Sequence, residues 1–302
     1  MGVYQIVEKG FNMMLTSRVK ERGERFILII AILSYLAHLS LILLAKQGII
    51  EIDSSFFKNP IAAIYTPFSF ILLYEVYLLI FFLPKSISYY IGKQYEIITL
   101  IVIRRIFKDI SKLELESDWF QNKNDLLFTY DTLTSLVLFI LLFLFYRQVR
   151  PNSPVTDSEP AQKNRPLVDF IFLKKAIAVL LVPILFLLAT YTLFDWASAT
   201  ISDYQSGIRV FKNLNNIFFD EFFTILIIVD VLLLLASFFY SDRFHTIIRN
   251  SGFVISTILL KMSFGVEGIV NNLLIIGAVL FGYLILIIHD LFEERIPPKY
   301  SD

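Results

Sequence analysis

The stretch Phe68–Phe82, FSFILLYEVYLLIFF, contains one carboxylate, Glu75, among residues that otherwise suit hydrocarbon. Asp230 stands in the same setting in TILIIVDVLLLL, and Asp131 lies near the start of a third apolar run. Three bases, Arg104, Arg105 and Lys261, close Ile-rich runs. An ionised carboxylate that faces lipid costs at least about 2.5 kcal/mol, so these side chains must face other helices, a partner subunit or water. Groups of this kind do one of two things. They bind and release a proton, a cation or a small charged solute, or they clamp helices together as buried ion pairs. The simplest pairing sets Glu75 or Asp131 against Arg104 or Arg105, and Asp230 against Lys261. The alternative is that Glu75 and Asp230 carry protons, because leaving water penalises the charged form.

Other chemistry is not encoded in recognisable form. The chain has no Cys, so it has no disulfide, thiolate metal site or Cys nucleophile. Its 27 basic and 27 acidic residues cancel, which argues against a nucleic-acid surface. No phosphate-cradling Gly-rich loop, nucleophile elbow or HExxH zinc motif occurs. His38, His245 and His289 are far apart in sequence and read as hydrogen-bonded packing residues, so no metal or other cofactor is expected. A voltage sensor needs Arg at every third position over several turns, and Arg104, Arg105, Lys108 and a lone Lys261 do not supply it.

These charges must be positioned by membrane helices. Of the 302 residues, 56% are hydrophobic and 18% charged, and 30 are Phe. Such a chain has too little polar surface for water. A helix needs about 20 apolar residues to cross about 30 Å of hydrocarbon. Six segments meet or approach that length: Phe26–Leu44, Ile61–Leu83, Leu126–Tyr146, Ala176–Phe194, Phe222–Tyr240 and Ile269–Leu291. Pro60 and Pro84 bracket the second. Tyr95–Phe107 and Gly252–Phe264 are shorter and charged, and read either as spans whose bases snorkel or as re-entrant helices. With eight crossings and the N-terminus inside, 17 basic residues face the cytoplasm and seven face out. With six crossings the split is 16 to 11, so the positive-inside rule favours eight, with both termini cytoplasmic. Glu75 and Asp230 then fall near the midplane, and Asp131 towards the outer side.

The chain also repeats itself. Phe57-Lys58-Asn59 recurs as Phe211-Lys212-Asn213; Glu75 aligns with Asp230, Arg105 with Lys261 and, more loosely, Asp131 with Asn271. This predicts an all-α polytopic bundle of eight helices in two parallel four-helix repeats, six of the helices full spans and two short and charged. Residues 26–147 form the first repeat and 167–295 the second. Residues 148–166, rich in Pro and charge, form a flexible cytoplasmic linker. Residues 1–25 form an amphipathic cytoplasmic segment, with Val3, Ile6, Val7, Phe11, Met14 and Leu15 at helical spacing, and 296–302 form a tail. Asp203–Phe219 reads as an interfacial helix.

The reading that follows is a multi-pass transporter or channel, not an enzyme, in a bacterial inner (plasma) membrane. Glu75, Asp230 and Asp131 bind the ion or solute, and Arg104, Arg105 and Lys261 are countercharges. Its partners are the lipid bilayer, a proton, cation or small charged solute, and a second copy or another membrane subunit. The alternative is a non-catalytic scaffold, sensor or subunit of a membrane complex.

Overall fold

Helix is the only regular structure among the described residues, which in the computed structural model are 2–49, 60–110, 113, 122–149, 165–202, 207–240 and 244–295. In chain order these are α1 (Val3–Met14), α2 (Ser17–Lys46), a 3-10 turn (Pro60–Ile64), α3 (Tyr65–Phe82), α4 (Ile87–Ile110), α5 (Lys123–Gln148), α6 (Arg165–Ser202), α7 (Gly207–Tyr240), α8 (Phe244–Ser263) and α9 (Ile269–Arg295). Most of the linker 148–166 and all of the tail 296–302 lie outside the described residues, as do Phe57-Lys58-Asn59.

From α2 to α9 the helices alternate in direction. The start of α2, the ends of α3, α5, α7 and α9 and the starts of α4, α6 and α8 form one end of the bundle, called proximal here; the other is distal. Side-chain bonds fix this arrangement: Gln148 at the end of α5 donates to Asp290 at the end of α9, while Arg105 near the end of α4 meets Asp131 near the start of α5.

Five helical segments are long and apolar enough to cross a membrane: Val3–Lys46, Lys123–Gln148, Val168–Tyr191, Glu221–Phe239 and Ile269–Glu294. Their outward faces carry large apolar side chains at helical spacing, such as Phe26, Ile29, Leu33 and Leu36 on α2, and Leu133, Leu136, Ile140 and Phe143 on α5. A belt of this size is stable only against lipid, and it is the surface of an integral membrane protein. The sixth expected span is shorter than its sequence suggests. Pro60 starts a 3-10 turn instead of the helix, and the apolar helix that follows covers Thr66–Phe82.

The two ambiguous segments lie within α4 and α8. At 24 and 20 residues these helices are about 36 and 30 Å long, enough to match the hydrocarbon thickness. They are too polar to count among the five: α4 sits in the middle of the bundle, and α8 buries a polar face while leaving Ile255, Ile258 and Met262 exposed. α4 packs against α3, α5, α8 and α9, and α8 against α4, α7 and α9. The core is built around Tyr95, Ile98 and Val102 of α4, Phe253 and Leu260 of α8, and Phe145, Phe223 and Val279 from their neighbours.

Three expected boundaries move. α2 begins at Ser17, because the charged stretch before Phe26 continues the helix without a breaker. α7 runs unbroken from Gly207 to Tyr240, since no Pro or further Gly interrupts it, so the expected interfacial helix is part of a longer one. α1 does not lie apart from the bundle. It packs on α6, with Tyr4 stacked on Phe172 at 5.0 Å and Lys175 Nζ bonded to Glu8 Oε1 at 2.8 Å.

Candidate functional site

α7 turns Asp230 inwards, where it is 5% exposed between α4, α6 and α8. Gln94 of α4, fully buried, donates from Nε2 to Asp230 Oδ2 at 3.0 Å. The Gln94 amide is itself oriented, because Thr257 Oγ1 of α8 donates to its Oε1 at 2.8 Å. The buried hydroxyl of Tyr90, one turn before Gln94, is turned to the same carboxylate, yet it meets no hydrogen-bond partner among the described residues.

The Lys174 ammonium of α6 acts on this carboxylate. Lys174 is 4% exposed. Its ammonium donates to the Lys85 carbonyl at 3.0 Å and lies 5.1 Å from the centre of the Phe170 ring. Lys174, Asp230, Tyr90 and Asn250 all open on one cavity of about 30 Å³, otherwise walled by Leu83, Ile87, Ile91, Leu233, Leu234, Phe253 and Val254. That volume holds about one or two water molecules. Asp230 and Lys174 thus flank one cavity whose surface is almost wholly apolar, and make no direct ion pair with each other. The expected partner, Lys261, lies in the last turn of α8, a turn beyond Thr257. Hydropathy gives the depth of Asp230 but not its direction, and its neighbours come from the face of α4 that carries Tyr90 and Gln94.

Asp131 and Arg105 do come together, at the distal end. Arg105 Nε lies 3.1 Å from Asp131 Oδ2, and Nη2 donates to Asp131 Oδ1 at 3.3 Å. The same guanidinium donates to Asn271 Oδ1 and, at 2.7 Å, to Asn272 Oδ1. Asn272 Nδ2 donates back to Asp131 Oδ1 at 2.7 Å, and Asn271 Nδ2 donates to the Ser263 carbonyl. This network joins α4, α5 and α9, with Asp131 Oδ1 accepting from Arg105 and Asn272. Arg104, the adjacent base, is buried, with 3% exposure.

Glu75 is not set against Arg104 or Arg105. The charges that act on it are Glu96, Lys93, Glu24 and Lys20. Tyr74 Oη donates to the Lys20 carbonyl at 3.2 Å, and Tyr77 Oη to the Met14 carbonyl at 2.8 Å. Those bonds place Glu75 level with the junction of α1 and α2. Further along the same helix, Lys20 Nζ stands over the Phe81 and Phe82 rings. Glu96 beside it is held by Lys93 and by Tyr146 Oη, both at 2.6 Å.

The histidines also differ from expectation. His38 Nδ1 meets Thr66 Oγ1 at 2.7 Å, a packing role. His245 and His289, however, are brought into ring contact at 5.1 Å between centroids, beside Asp290 and Glu293. No spacing motif signals this, because the two rings meet only when α8 and α9 pair as an antiparallel hairpin.

Compared with known protein families, curated proteins and solved structures, the chain gives no match.

Proposed function

We propose that the protein is a membrane transporter or channel for protons or a small cation, with Asp230 as the exchanging carboxylate and Lys174 as its internal competitor. One observation carries this reading: a buried carboxylate and a buried ammonium open on the same water-sized chamber without forming a contact pair. Two buried charges kept only for stability do best in close, fully hydrogen-bonded geometry. An acid that keeps a space beside it can take a proton or a desolvated cation there. Lys174 balances the carboxylate when that guest has left. Gln94, oriented by Thr257, fixes one oxygen and leaves the other for the guest.

The chamber lies between α4, from residues 26–147, and α6, α7 and α8, from residues 167–295. A site between two halves suits alternating access by movement of one half against the other. The pairing of α4 with α8 and of α5 with α9 supports two parallel repeats, since these are equivalent helices in that scheme. The basic excess at the proximal end supports a cytoplasmic location for it, in a bacterial inner membrane. The network of Arg105, Asp131, Asn271 and Asn272 favours a clamp at that point. It is the feature that best fits the second reading, a scaffold or subunit of a membrane complex.

The test is flux in liposomes that contain purified protein, driven by a pH gradient, by a sodium or potassium gradient, or by voltage. Wild type is compared with Asp230→Asn and Lys174→Met. Transport predicts flux in wild type, loss of at least tenfold in Asp230→Asn with folding kept, and altered flux in Lys174→Met. A wild type that is silent under every gradient, or an Asp230→Asn variant that moves ions as well as wild type, overturns the proposal.

A further inference from the structure

We propose a second site, separate from the Asp230 chamber: a binding site for a divalent transition-metal ion of the zinc type, built at the proximal ends of α8 and α9. Its ligands are His289, Asp290 and Glu293.

The donor atoms of His289, Asp290 and Glu293 lie within 4.8 Å of one another. His289 and Glu293 are four residues apart on α9, so they share one helix face. His289 Nδ1 and Asp290 Oδ1 are 3.0 Å apart, a separation that suits two ligands of one ion with bonds of about 2.0–2.2 Å. His245 packs its ring against His289 at 5.1 Å between centroids, which helps to orient that imidazole. Nitrogen and carboxylate donors without thiolate select ions of the zinc, manganese or iron series over soft copper(I).

The surroundings also suit a metal. Gln148 Nε2 of α5 donates to Asp290 Oδ2 at 2.6 Å, which holds one carboxylate oxygen and presents the other to His289. His289 and Asp290 are buried, while Glu293 is exposed and leaves a route for the ion. Arg249 contacts His289 Nε2 at 3.3 Å and is held by Asn250 Oδ1 at 3.3 and 3.2 Å. It is the resident countercharge to the two carboxylates. In this arrangement His289 is neutral, with Nδ1–H donated to Asp290 and Nε2 accepting from Arg249. An ion bound at Nδ1 takes the place of that proton, which moves to Nε2, and Arg249 must withdraw. Arg249 directly precedes Asn250, which lines the Asp230 chamber, so the occupied site acts on α8 where that chamber begins.

The competing view is that Asp290 and Glu293 only neutralise Arg249. The experiment titrates chelator-stripped full-length protein in detergent with Zn²⁺ alone. It reads stoichiometry by calorimetry, and geometry by the visible spectrum after Co²⁺ substitution. The expected result is one ion per chain, with a tetrahedral or five-coordinate Co²⁺ spectrum. Affinity falls at least a hundredfold in His289→Asn and Glu293→Gln and about tenfold in Gln148→Leu, and is unchanged in Glu267→Gln at the distal end. Zn²⁺ raises the unfolding temperature of wild type but not of Glu293→Gln, whose exposed position keeps the fold intact. Absence of stoichiometric binding, or binding that survives both ligand substitutions, overturns the proposal. These readouts do not depend on transport.

Discussion

Gly282→Ala tests how tightly the centre of the bundle is built. Tyr95 of α4 is fully buried, and its hydroxyl pairs with Ser256 Oγ of α8 at 2.7 Å. Ser256 in turn donates to the Ala278 carbonyl of α9 at 2.7 Å. The ring stands edge-on to Phe145 at 5.1 Å. Gly282 of α9 passes directly over this hydroxyl: a Cβ there would lie 1.7 Å from Tyr95 Oη, 2.9 Å from Cζ and 3.3 Å from Ser256 Oγ. Carbon and oxygen approach to about 3.3 Å, so the hydroxyl must retreat by roughly 1.6 Å. The ring has no open side. Overpacking of this kind costs about 1–3 kcal/mol, and a buried hydroxyl stripped of its partner adds about 1–3. Better helix propensity returns about 1 kcal/mol. The expected net loss is about 1–5 kcal/mol, measured by reversible unfolding in mixed micelles. Tyr95→Phe removes the atom at 1.7 Å and costs about 1 kcal/mol alone. In that background Gly282→Ala becomes cheaper by about 1–2 kcal/mol, a coupling that a double-mutant cycle resolves. Two additive substitutions, or a Gly282→Ala variant as stable as wild type, would refute the close approach of α4, α8 and α9.

Asp131→Asn leaves Arg105 with only the two Asn carbonyls. Breaking a buried pair costs about 3–5 kcal/mol. The Arg105 side chain is 26% exposed, which lowers the expectation to about 1–3, with partial recovery in Asp131→Asn/Arg105→Gln. Glu8→Gln removes a pair in which both side chains are 27% exposed, so stability should change by less than about 1 kcal/mol, read by the same unfolding assay. The absence of cysteine makes any introduced thiol unique. Glu267→Cys in the distal turn should react with an impermeant maleimide added outside intact cells, and Lys85→Cys at the proximal end only after permeabilisation. The reverse pattern would invert the topology.

Hydropathy finds a helix by its lipid-facing surface, and that limits how much of this fold the sequence reveals. α2, α5, α6, α7 and α9 each present an apolar stripe outwards and are legible as spans, although α2, α6 and α7 run on well beyond the apolar stretch. α4 is enclosed by other helices and α8 turns a polar face inwards, so their polar residues, among them Gln94, Arg104, Asn250 and Thr257, face protein and leave no long apolar window. The two helices that hold most of the internal chemistry are therefore the two that hydropathy reads least well. The same limit separates Glu75 from Asp230. Both sit in apolar runs that look alike, and both are aligned by the apparent duplication. A run of apolar residues is silent on whether lipid or a neighbouring helix covers it. For Glu75 the cover is α1 and the charged start of α2, so its surroundings are Lys20, Glu24, Lys93 and Glu96. For Asp230 it is α4, α6 and α8, so its surroundings are the Gln94 amide, the Tyr90 hydroxyl, the Lys174 ammonium and a chamber. The acid whose companions are few and buried has the stronger reason to bind something else.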